Sequence, residues 1–73
     1  MQIFTVTHRE RPVAVVRARR PEEAIEVARD MAEIAAVRLP QDEAYHAREP
    51  DDAEMVGWLE RRDDYLLVEH ASA

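Results

Sequence analysis

Apolar and polar side chains alternate through the first part of the chain. In Gln2–His8, Ile3, Thr5 and Thr7 fall on one side of an extended backbone, and Phe4, Val6 and His8 on the other. That is the period-two pattern of a strand. Pro12–Ala18 repeats it, with Val13, Val15 and Arg17 opposed to Ala14, Val16 and Ala18. Arg9-Glu10-Arg11 between them is polar and short enough for a hairpin. No Asn-Gly or Asp-Gly pair fixes the turn type. Pro12 has no N–H for a ladder and belongs at a strand start or an edge.

The period changes after Pro21, a residue suited to the first helical position because its missing N–H would be unpaired there anyway. Glu22 and Glu23 follow in the first turn, where they offset the helix dipole. Ile25, Ala28, Ala32, Ala35 and Leu39 recur at helical spacing, with Ala24, Met31 and Ile34 widening the stripe. The spacing predicts a helix with Arg38 in its last turn and Pro40 as its stop. The alanines allow close approach to a sheet or to a second copy of the helix. Ala44–Glu49 reads either as a short extended segment, with Tyr45 and Ala47 facing one way, or as an irregular connection. Pro50 biases Glu49 away from helix.

Asp51 and Glu54, three residues apart, have the spacing of a helix cap. A second helix follows to Arg61 or Arg62, with an apolar line of Ala53, Val56 and Leu59 flanked by Met55 and Trp58. Gly57 in its middle costs about 1 kcal/mol relative to alanine and permits close packing. Asp63-Asp64 marks a turn. Tyr65–His70 reads as a strand, with Leu66 and Val68 opposed to Tyr65, Leu67 and Glu69. Ala71–Ala73 reads as a frayed end. The sum is β-β-α-(β)-α-β, an α+β class with a small antiparallel or mixed sheet and both helices packed on one face. The last strand returns to the first hairpin, at an edge the pattern does not decide.

Seventy-three residues make one domain, spanning 1–73. With 47% hydrophobic residues the chain can build a core, which separates it from disordered segments. A domain of this size buries only about 60% of its unfolded surface. Having no cysteine, it has no disulfide or thiolate metal site to staple it, and self-association as a homodimer is the expected further source of stability. No apolar run approaches the roughly 20 residues that span a bilayer. Met1–His8 lacks a signal peptide's basic region and long apolar stretch, so the cytoplasm is the expected compartment.

Charge is unevenly divided. Residues 1–20 carry Arg9, Arg11, Arg17, Arg19 and Arg20 against the single acid Glu10, whereas the remainder carries five arginines against fifteen acids, for a net charge of −6. Such asymmetry points to a marked face and a partner chosen partly by charge. All ten basic residues are arginine, which stays charged and pairs well with carboxylates.

Little else suggests chemistry. His8, His46 and His70 are isolated in different segments, without the local pairs of a metal site, and are expected to be solvent-facing strand residues. Asp51, Asp52 and Glu54 lack calcium-loop spacing and fit a helix cap. There is no cysteine or lysine nucleophile, and the one serine, Ser72, lies near the end. Gly57, the only glycine, excludes a phosphate loop. A Glu–His acid–base pair would need a substrate pocket for which so small a domain has little room. No enzymatic activity, metal or cofactor is expected.

Two charged sets remain. Arg9, Arg11, Arg17, Arg19 and Arg20 suit phosphate, an acidic partner or a second copy, but the chain lacks a stacking platform and its net charge is negative. Nucleic acid is the second choice, and Arg17, Arg19 and Arg20 alternatively pair with acids such as Glu22, Glu23 and Glu69. The stretch Asp42–Asp64 holds nine acids against three arginines, a carboxylate array able to occupy a groove built for phosphates. In size and charge the chain resembles small acidic inhibitors of nucleic-acid-guided nucleases, many anti-CRISPR proteins among them, and some antitoxins. That resemblance implies a small regulator or inhibitor. The expected function is a non-enzymatic interaction module that binds a basic protein surface through Asp51, Asp52, Glu54, Asp63 and Asp64. Trp58 and Tyr45 are available as anchors, although Trp58 is more readily a core residue.

Overall fold

The computed structural model describes residues 1–67. β1 (Gln2–His8) and β2 (Arg11–Ala18) form an antiparallel hairpin. It closes through Arg9 and Glu10, which have φ of 48° and 70°. Positive φ at both central residues is the geometry of a type I′ turn, whose right-handed twist matches the strands even without its favoured Asn-Gly pair. The register shifts between Val6 and Thr7, leaving Val13 as the extra residue of a bulge.

α1 (Pro21–Ile34) starts at its proline, as expected. It ends earlier than the apolar spacing predicts. Ala36 adopts φ 58°, the Val37 N–H bonds the Ala32 carbonyl at 2.8 Å, and the Ala36 N–H bonds that of Glu33 at 3.1 Å. These are the two bonds of a Schellman end. Arg38 therefore lies outside the helix, Ile34 is exposed, and Leu39 reaches the core from the following loop.

β3 (Tyr45–Arg48) runs antiparallel to β1, pairing Thr5 with Arg48 and His8 with Tyr45. α2 (Asp52–Arg61) follows. β4 (Tyr65–Leu66) then joins the outer edge of β2, pairing Val15 with Tyr65 and Ala14 with Leu66. The Leu67 N–H extends this contact to the Val13 carbonyl at 2.8 Å. The sheet order is β3-β1-β2-β4, with every neighbouring pair antiparallel. Val68, Glu69 and His70 of the expected last strand, and Ala71–Ala73, lie outside the described residues.

The α+β class and the element order are those the sequence predicts. Helix placement differs. The even-numbered face of β1, with Phe4 and Val6, meets Ala24 and Ala28 of α1 in a core completed by Ala14, Val16, Ala18 and Tyr45. The small alanine side chains bring helix and sheet together. α2 lies on the opposite face, where Thr5, Val15, Arg48 and Tyr65 share register positions. The layers are therefore α1, sheet, α2. Thr5, Thr7 and Val15 are buried on the α2 side, so both faces of the central hairpin are covered. The polar threonines of β1, Thr5 and Thr7, are therefore interior residues.

Candidate functional site

α2 is rolled relative to its apolar line. Its inward residue is Glu54, only 7% exposed, while Val56 and Leu59 are 52% and 56% exposed and Ala53 also faces solvent. The cause is the sheet surface beneath. The Thr5 hydroxyl donates to Glu54 Oε1 at 2.9 Å, and Arg48 donates to both carboxylate oxygens at 2.9 and 3.1 Å. The Asp51 N–H adds a bond at 2.8 Å, and Asp51 Oδ1 accepts the Glu54 N–H at 2.8 Å, which completes a capping box. Burial alone pushes the Glu54 carboxyl upward. Arg48, the Asp51 N–H and Thr5 together outweigh it and hold the group below its ordinary value.

Tyr65 fixes the same roll. Its hydroxyl donates to the Glu54 carbonyl at 3.0 Å, and its ring lies under the Arg61 guanidinium at 4.3 Å. Position 57 must be glycine for this contact, because a Cβ there would collide with the Tyr65 hydroxyl. Trp58 is half-buried and donates from Nε1 to Asp64 Oδ1 at 3.0 Å, an oxygen that also accepts the Arg17 N–H at 2.8 Å. The indole thus anchors the turn after α2 to β2.

These bonds absorb much of the acidic set selected from the sequence. Glu54 is interior, Asp51 is a cap, and Asp64 ties a turn to a strand. Asp63 is exposed and accepts the Asp64 N–H at 2.8 Å. Asp52 is exposed without a side-chain bond among the described residues. A carboxylate set missed by the sequence reading lies instead on α1. Glu22, Glu26, Asp30 and Glu33 are all exposed, and none forms an ion pair among the described residues. Their spacing of four, four and three places them on one ridge opposite the buried Ala24, Ala28 and Ala32. That signal was available in the sequence, masked by the denser acids that follow.

The arginines do not form one patch. Arg9 and Arg11 sit at the hairpin end, whereas Arg17, Arg19 and Arg20 lie at the other end of β2 and just beyond it. Arg11 and Arg17 lie six residue steps apart along the strand, about 20 Å. Arg9 is held by Asp42 Oδ2 at 3.3 Å, while the other four make no side-chain ion pair among the described residues.

His8 departs from the solvent-facing expectation. It is buried, its ring lies 4.8 Å from that of Tyr45, and its Nε2 is 2.7 Å from Asp42 Oδ1. Asp42 also accepts the Ala44 N–H at 3.0 Å. That backbone bond foremost, then His8 and Arg9, holds the Asp42 carboxyl at about 2, below its ordinary 3.8. Arg29 stacks over Tyr45 at 4.6 Å and donates to the Asp42 carbonyl at 3.2 Å. The cluster latches the loop after α1 to the hairpin. His46 is exposed on β3, and His70 lies outside the described residues.

Among the described residues, no group of three or more histidine, cysteine or acidic side chains converges in the geometry of a metal site. A cleft of about 600 Å³ opens beside the end of α1, lined by Arg29, Glu33, Val37, Arg38 and Leu39 among others. None of the described helices is long and apolar enough to cross a membrane. No family model, curated protein or solved structure matches this chain.

Proposed function

We propose that this protein is a non-enzymatic interaction module that regulates or inhibits a partner by binding its basic surface. The observation supporting this reading is the α1 ridge of Glu22, Glu26, Asp30 and Glu33, four exposed carboxylates on one face without ion pairs among the described residues. α1 is 14 residues long, so at about 1.5 Å per residue the ridge extends over much of a ~20 Å helix. Regularly spaced carboxylates on a rigid helix suit a partner groove lined by arginine or lysine, including one that otherwise holds phosphates. Attraction of this kind acts mainly on association rate and weakens with salt. The ridge replaces Asp51, Asp52, Glu54, Asp63 and Asp64 as the proposed contact, because the fold uses most of those carboxylates.

Affinity capture from the native lysate tests this, comparing the parent with a Glu22→Lys, Glu26→Lys, Asp30→Lys variant, each with and without nuclease. The expected result is one stoichiometric protein that survives nuclease, weakens as salt rises and is lost from the variant. Equal recovery by both forms would overturn the ridge as the contact. Binding that disappears with nuclease would transfer the function to the arginines, a reading with less support because their two groups are separated along β2.

A further inference from the structure

We draw no further inference here: the strongest candidate, the cleft beside the C-terminal end of α1 lined by Arg29, Glu33, Val37, Arg38 and Leu39, carries charges of both signs over an apolar floor, and nothing in the structure shows what fills it.

Discussion

Glu54 shows how one side chain orients an element. Its carboxylate joins Thr5 of β1, Arg48 of β3 and the Asp51 N–H at the start of α2. Removing it leaves a buried hydroxyl and a guanidinium without their partner and opens the capping box. Glu54→Ala should therefore cost about 2–4 kcal/mol. Thermal unfolding should show this as a midpoint lower by roughly 10–20 °C. Asp42 and Glu54 both titrate below their ordinary values, so each stabilises the fold above its unfolded pKa and loses that contribution as pH falls through its folded one. For Asp42 the window runs from 3.8 down to about 2. Asp42→Asn should lower the thermal midpoint at pH 7 and converge with the parent near pH 2. A constant gap between the two down to pH 2 would contradict this assignment. Gly57 reverses a general rule. Alanine normally stabilises a helix interior by about 1 kcal/mol relative to glycine. Here its Cβ meets Tyr65, so Gly57→Ala should cost about 1–3 kcal/mol. A double-mutant cycle with Tyr65→Phe, which removes the colliding oxygen, should recover part of that loss.

At the scale of elements, two chain reversals use residues poorly suited to them. Glu10 and Ala36 hold φ of 70° and 58°, a region glycine occupies without steric cost. Glu10→Gly and Ala36→Gly should each stabilise by about 0.5–1 kcal/mol in chemical denaturation, with little coupling because they occupy different turns. Unchanged or lower stability in both would count against these turn geometries. Sequence reasoning was incomplete at the second of these reversals and in the orientation of α2. Alternation in Gln2–His8 and Pro12–Ala18, Pro21 at a helix start and the Asp51–Glu54 spacing are local signals, and the elements appear where those signals lie. The end of α1 was missed because Ala35 and Leu39 continue the apolar spacing while the stop is an alanine in a conformation that its identity does not signal. The roll of α2 was missed for a different reason. Val56 and Leu59 form the apolar line, but Thr5, Arg48 and Tyr65 come from three separate strands, and only the assembled sheet brings them to Glu54. Asp51, Glu54 and Asp64 make bonds within the fold, whereas the regularly spaced carboxylates of α1 stay exposed.

The whole molecule is a three-layer unit whose outer helices present different chemistry. α1 buries alanines and exposes carboxylates. α2 buries a carboxylate and exposes Val56 and Leu59. This contrast separates the acidic ridge of α1, proposed for a basic partner, from the exposed aliphatic pair of α2. The aliphatic face depends on the roll of α2, which buries Glu54 and turns Val56 and Leu59 outward. The measurement that tests it most directly is a side-chain NOE spectrum of the dilute protein. The predicted result is contact between Glu54 and Thr5 and between Gly57 and the Tyr65 ring, with no contact from the Val56 or Leu59 methyl groups to the sheet. Methyl contacts from Val56 and Leu59 to Thr5 or Val15, with Glu54 free of Thr5, would contradict it.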